Sequence, residues 1–205
     1  MGWVALYGWV DPPTTLLIET ERARLGEVRR EGVRLGALPG EVRLAFLAAE
    51  DAGFCGHRGF DLTEIRRALR EAEEGRRRRG ASTITQQVAK NAFLWPAASW
   101  TRKGLEAGVA VLVEALWSKR RVLEVYLSVA EMGEGVFGLE AAARHWFGKG
   151  AAELSLREAS LIAAALPSPR TRNPARPSGF LSRRAAQIAE GARTLAADGR
   201  GACVL

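Results

Sequence analysis

Residues 50–61 read Glu50-Asp51-Ala52-Gly53-Phe54-Cys55-Gly56-His57-Arg58-Gly59-Phe60-Asp61, and residues 80–91 read Gly80-Ala81-Ser82-Thr83-Ile84-Thr85-Gln86-Gln87-Val88-Ala89-Lys90-Asn91. The first block ends an apolar run, residues 44–49, in two adjacent carboxylates. The second gathers hydroxyls, carboxamides and a lysine into one helical start. Elements that only pack have no need of so much polar chemistry where helices meet. These two blocks therefore set both the fold class and the candidate site.

Outward from them, apolar residues recur at helical spacing almost everywhere, and strand-type alternation is scarce. Asp61 followed by Glu64 predicts an N-cap and capping box. The helix after it is expected to turn Leu62, Ile65 and Leu69 inward and to end in Glu73-Glu74-Gly75 and the arginine run 76–79. Ser82 is expected to cap the next helix, with Ile84 and Val88 as its buried side. Ser99 caps a long third helix through Leu105, Val109, Val113 and Leu116; Ser118 restarts it and it runs to about Ala130. Residues 133–138 read as a loop. Ser155 and Glu158 form another capping box, Pro167 closes that helix, and residues 182–197 give a last amphipathic helix through Ala185, Ile188, Ala192 and Leu195. Candidate strands are confined to residues 15–18 and 32–35. The expected fold class is mainly α.

A chain of 205 residues is long enough for one domain with a sizeable core, and neither repeats nor low-complexity segments divide it. The net charge of +7 points to an anionic partner: nucleic acid, acidic lipid headgroups and a pyrophosphate substrate all qualify. Cys55 and Cys203 make no disulfide framework; one lies in the first block and the other at the C-terminus, so no bond is expected between them. Neither has ligand-like neighbours at metal spacing, and the histidines are His57 and His145, so a zinc site is not expected. Residues 1–10 are apolar and aromatic, with Trp3, Tyr7 and Trp9, until Asp11-Pro12-Pro13 stops them. Crossing a bilayer takes roughly 20 apolar residues. Residues 1–13 are therefore read as the end of a membrane anchor or interface segment, and 14–205 as the folded domain. The alternative for the first residues is a strand or helix docked on the domain.

The two blocks resemble the first two signature motifs of the family 51 glycosyltransferases, which polymerise peptidoglycan glycan strands from lipid II. Arg102-Lys103-Gly104-Leu105-Glu106 resembles the third motif, residues 119–127 the fourth, and residues 158–167 the fifth. Nothing resembles a transpeptidase, so the likeness is to the monofunctional branch. It implies a lysozyme-like helical domain with a small membrane-facing subregion, at the bacterial inner membrane with the catalytic domain on the periplasmic side. Its implied partners are lipid II, the growing glycan strand, membrane lipids and cell-division or cell-wall synthesis proteins, and not nucleic acid.

Making a β-linked glycan from an α-linked diphosphate donor inverts the anomeric centre. That needs one base for the attacking hydroxyl and groups that stabilise the departing diphosphate. Adjacent residues on a helix end point about 100° apart, so Glu50 and Asp51 cannot both serve one atom. Glu50 is the expected base, which by resemblance activates the acceptor's 4-hydroxyl. Leu44, Phe46, Leu47 and Phe54 around it would raise its pKa. Asp51, Ser82, Thr83, Gln86, Gln87, Lys90, Arg102 and Lys103 are the expected substrate-binding residues. The start of the Ser82 helix is read as offering free backbone N–H groups to an anion. The resemblance makes Glu106 a second active-site carboxylate that orients those bases or holds a divalent cation, Mg or Mn; no organic cofactor is implied. Phe54, His57, Glu124 and Tyr126 read as structural support.

Two positions depart from the family pattern. Ala98 stands where an arginine is usual, which removes one phosphate contact, and Ser128 stands where an asparagine is usual. The arginine run 76–79 reads as a solvated loop, or as a segment over the glycan groove that feeds in an anionic substrate. Two alternatives to a polymerase are a lysozyme-like lytic enzyme, also helical with a glutamate, and a basic membrane-binding module. A lytic enzyme has no need of Lys90, Arg102 and Lys103 for a diphosphate.

Overall fold

The structure is a computed structural model and describes residues 2–74, 82–97 and 99–205. The chain opens with α1 (Gly2–Tyr7) and α2 (Leu16–Leu25), then a short strand β1 (Arg29–Arg30) and a 3₁₀ turn, Leu35–Ala37. Helices α3 (Gly40–Glu50), α4 (Leu62–Glu73), α5 (Ile84–Phe93), α6 (Trp100–Leu116) and α7 (Lys119–Val129) follow. A hairpin, β2 (Glu131–Gly133) and β3 (Val136–Phe137), leads into α8 (Leu139–Phe147), α9 (Leu156–Ala165), α10 (Gly179–Ala197) and a last 3₁₀ turn, Ala202–Val204. The mainly α domain expected from periodicity is what the chain forms.

Its core has two packed groups. In one, α10 lies against both α3 and α9; in the other, α5 lies against α6 and α7. Phe46, Leu47, Phe54, Ile84, Leu123 and Tyr126 are fully buried. Full burial of one large apolar side chain stabilises by about 1.5–3 kcal/mol, so this core decides the fold. α3 therefore runs through the core and delivers its last residue, Glu50, to the surface of a cleft.

Caps hold the helix starts where the sequence placed them, with small shifts. Ser99, Ser118 and Ser155 each cap their helix through the hydroxyl, and Ser155 with Glu158 forms the expected capping box. The last helix is capped by Ser178 and so begins at Gly179, ahead of Ser182. The second motif's helix is capped by Thr83 rather than Ser82, because Gln86 lies three residues beyond Thr83 and completes a reciprocal capping box. Asp61 caps α4 by accepting from Thr63 and Glu64 N–H, without the return bond from Glu64.

Several expectations are corrected. Residues 15–18 are not a strand: the Thr15 hydroxyl accepts from Ile18 N–H at 3.2 Å and starts α2. Residues 32–35 are not a strand either; the strand is Arg29–Arg30, which pairs in parallel with β3 in the order β1-β3-β2. Residues 133–138, read as loop, contain the β3 half of a hairpin. Gly138 (φ +87) lets the chain pass so close to Glu31 that a Cβ there would sit 2.2 Å from its carbonyl oxygen. Strands this short carry no alternation to read.

Leu62 and Leu69 do not face inward. They are 61% and 60% exposed, and no residue of α4 is buried. The arginine run 76–79, Gly80, Ala81 and Ala98 lie outside the described residues.

The two cysteines are bonded, with Cα atoms 5.7 Å apart across a sequence separation of 148. The C-terminal residues fold back along α3: Val204 is buried, and its carbonyl accepts from Arg43 at 2.8 Å. That return path, invisible in sequence spacing, brings Cys203 to Cys55.

Candidate active site

The cleft of about 1690 Å³ is lined by the end of α3, the loop after it, α4's first turn, α5, Tyr126 of α7 and Arg184 of α10. Glu50 opens into it, held at its Oε2 by the Gln87 side-chain N–H at 2.8 Å. Burial raises the Glu50 pKa; Gln87, Arg184 and Lys90 pull against that, and Asp51 adds to it. The fully buried Tyr126 phenol nearby is raised well above its ordinary value by burial and by Glu50.

Asp51 turns the other way. Its backbone leaves the helix (φ −163, ψ 73), and its carboxylate meets His57 Nε2 at 2.9 Å and accepts Ile84 N–H at 3.0 Å. Thus one carboxylate faces the cleft and its neighbour ties the loop to α5. Three N–H groups at the start of α5 are accordingly taken by the protein itself. Thr83 N–H goes to Gln86, Ile84 N–H to Asp51, and Gln86 N–H to the Thr83 hydroxyl. The anion at this helix N-terminus is the protein's own Asp51. The Thr83 hydroxyl also donates to Gly59 O at 2.6 Å, which closes the loop from its far end.

Gln87, Lys90 and Asn91, one helical face, all line the cleft, as do Ser82 and Thr83. Lys90 reaches solvent at the cleft wall, and the partial loss of water around its stem lowers its pKa; Glu106 and Glu50 oppose this, while Arg102 and Lys103 add to it. The third motif therefore lies within electrostatic reach of Lys90. There Arg102 Nη1 meets Glu106 Oε2 at 3.1 Å, and Lys103 binds Glu106 Oε1. Glu106 is buried with both oxygens occupied by cations. It is arranged to hold the two bases in place, and a divalent cation does not fit there unless one of them is displaced. Another set of donor atoms, from Asp51, His57 and Asp61, lies within 4.8 Å of one another. Asp51 and His57 already bond each other, and Asp61 Oδ1 caps α4.

Behind the cleft, Phe54 is buried under Lys119, whose Nζ sits 4.5 Å from the ring centre. Glu124 accepts Leu35 N–H at 2.7 Å and pairs with Arg121 at 2.7 Å. Ser128 accepts Val33 N–H at 3.2 Å and leaves room for Gly32, whose Cβ would stand 2.9 Å from its hydroxyl. Ser128 thus fits the closely approaching chain at Gly32.

Sequence reasoning passed over three cations that line the cleft: Arg58, Arg184 and Arg200. Arg58 sat unremarked inside the first block. Arg184 occupies the exposed face of an amphipathic helix, where nothing separates it from solvent charges. Arg200 reaches the cleft on the C-terminal tail, and the pairing of the two cysteines was the signal that would have placed it.

The chain matches the Transglycosylase family over residues 18–193. It is 50% identical over 201 residues to a biosynthetic peptidoglycan transglycosylase of Jannaschia sp. (strain CCS1), covering 98% of this chain and 82% of that one. Proteins with the same description from Rhodospirillum centenum and Pseudomonas aeruginosa are each 47% identical, covering 97% and 90% of this chain and 87% and 82% of theirs.

Proposed function

Because this chain belongs to the transglycosylase family, we propose that its cleft joins glycan units with Glu50 as the general base. It is a peptidoglycan glycosyltransferase that builds glycan strands. The acceptor is the 4-hydroxyl of one lipid II, and the donor is a lipid-linked disaccharide diphosphate. Glu50 takes the hydroxyl proton as the oxygen attacks the anomeric carbon from the face opposite the diphosphate, which inverts that centre. The diphosphate leaves bearing the developed negative charge, and Lys90, with Arg102 and Lys103 held by Glu106, stabilises it.

One observation carries this reading: Glu50, its pKa raised by burial and its carboxylate aimed by Gln87, faces a cleft that also holds Lys90. A carboxylate whose pKa is raised in this way is a stronger base than an ordinary glutamate. The test is strand formation from lipid II by Glu50→Gln, which keeps the shape and removes the base. Turnover should fall about 10²–10⁴-fold; retention of more than about a tenth would remove Glu50 from the role.

Work on peptidoglycan places the enzyme at the cell envelope. The finer reading is a domain lying on the outer face of the inner membrane, with its cleft lip at the headgroups. The Cys55–Cys203 disulfide supports the oxidising side of that membrane. Leu62 and Trp95 line the cleft and are 61% and 40% exposed, and Trp100 nearby in sequence is 92% exposed. Helix α1 packs onto the domain through Val4, whose carbonyl accepts from Trp117 Nε1 at 2.7 Å, while Trp3 and Trp9 stay exposed. Exposed tryptophans with a basic chain suit an anionic headgroup layer. No helix among the described residues is long and apolar enough to cross a membrane.

A further inference from the structure

The loop that follows Glu50 has few backbone bonds of its own and is held from outside: Phe54 is buried in the core, Asp51 accepts Ile84 N–H, and the Thr83 hydroxyl donates to Gly59 O. It contains Gly53, Gly56 and Gly59, and its internal backbone bonds are turn contacts, Phe54 N–H to Asp51 O at 3.1 Å and Gly56 N–H to Gly53 O at 2.8 Å. Yet it carries Asp51 and His57, whose mutual bond sets the direction in which the chain leaves Glu50. Cys55 sits between them, and its partner belongs to a tail that is fixed independently. Val204 is in the core, and its carbonyl is bonded by Arg43 of α3. The Leu205 carbonyl is bonded by Arg120 of α7. Gly201 presses against Leu44 so closely that a Cβ would stand 2.2 Å from Leu44 Cδ2. The disulfide therefore carries a fixed point from the body of α3 and α7 into the middle of the loop. The same tail brings Arg200 to the cleft wall, braced by Asp198 at 2.7 Å.

We propose that Cys55 and Cys203 are positioning residues for glycosyl transfer: their bond locks the loop after the base onto the C-terminal tail, so that Glu50 and Arg200 are presented to one substrate. The inference rests on Glu50 being the base. Loop closure by a covalent bond also stabilises a fold, so the test must separate position from stability. Non-covalent anchors on both sides of the bond keep the fold when it is broken. What is lost is the loop's aim, and misplacing a reacting group by about 1 Å costs up to about 10²-fold in rate.

The experiment compares wild type with the double variant Cys55→Ser/Cys203→Ser in strand formation from lipid II, with kcat, KM, the pH profile of kcat and thermal unfolding measured together. The wild type is also assayed folded, before and after dithiothreitol, which delivers two electrons and two protons to the bond and leaves as its own cyclic disulfide. The expected result is a cooperative melt, kcat lower by about tenfold, KM within about twofold, and an acid limb moved to lower pH as water reaches Glu50. Dithiothreitol should reproduce the loss in wild type, reoxidation should reverse it, and the double variant should ignore the reagent. Full kcat in the reduced wild type or in the double variant, whatever the melting temperature, overturns the inference. So does a loss that vanishes when the assay is cooled well below the melt. Should the double variant not fold, the reduced wild type gives the decision alone. Glu50→Gln is run in parallel: an active Glu50→Gln removes the base itself, whereas an inactive one beside an unimpaired cysteine variant removes only this inference.

Discussion

Helices α10 and α4 have the same kind of sequence and opposite surroundings. Both repeat apolar residues on one helical face. In α10, Ala185, Ile188, Ala192 and Leu195 are all buried against α3 and α9. In α4, Leu62 and Leu69 lie 61% and 60% open to solvent, and Leu62 stands at the edge of the cleft. Amphipathic spacing states that a helix has an apolar side; it does not state whether protein or something else covers that side. The enzyme uses the two cases differently. α10 stiffens α3, which carries Glu50, and α4 forms a lip where a lipid-linked substrate would arrive.

The contrast breaks most visibly in stability. Ile188→Ala should destabilise the fold by about 2–5 kcal/mol in denaturant or thermal unfolding, since it opens a hole between α10 and its neighbours. Lys90→Ala should leave unfolding nearly unchanged and reduce kcat/KM on lipid II by about 10–100-fold, on the order of 1.5–3 kcal/mol for contacts to a charged group. Equal activity would place Lys90 among ordinary surface charges. The smallest overall change is expected in α4. Leu62→Ser/Leu69→Ser should shift unfolding by about 0.5 kcal/mol or less while weakening flotation with anionic vesicles at low salt. A large loss of stability would show that α4 is covered by the protein itself, and unchanged flotation would take the lip away from the membrane.

What the sequence made legible follows the same division. Helices that bury their apolar side, and caps that act through their own side chains, could be read from Ser99, Ser118, Ser155 and Glu158 because both partners lie within one turn. The orientation of α4 could not, because burial depends on what lies opposite. Glu50, Gln87, Lys90 and Asn91 were visible as a polar cluster on neighbouring motifs, and they do line one cleft. The use of the α5 N-terminus was not visible. Asp51 lies 33 residues from Ile84 N–H, and only the folded chain shows that the protein supplies the anion itself. Arg200 and the disulfide depend on a tail returning along α3, and no local pattern encodes that return.

The central claim is that Glu50 is a carboxylate held at a raised pKa to accept a proton. Burial disfavours its ionised form, so the folded enzyme gives up stability as pH rises from the pKa of the unfolded carboxylate through the folded one. Glu50→Gln removes that penalty and should melt no lower than wild type near neutral pH. The direct measurement is kcat for strand formation from lipid II across pH, in wild type and Glu50→Gln. Wild type should show an acid limb above the ordinary glutamate value of about 4.3, and Glu50→Gln should be close to inactive at every pH. An acid limb at or below that ordinary value, or the same limb surviving in an active Glu50→Gln, would contradict the account.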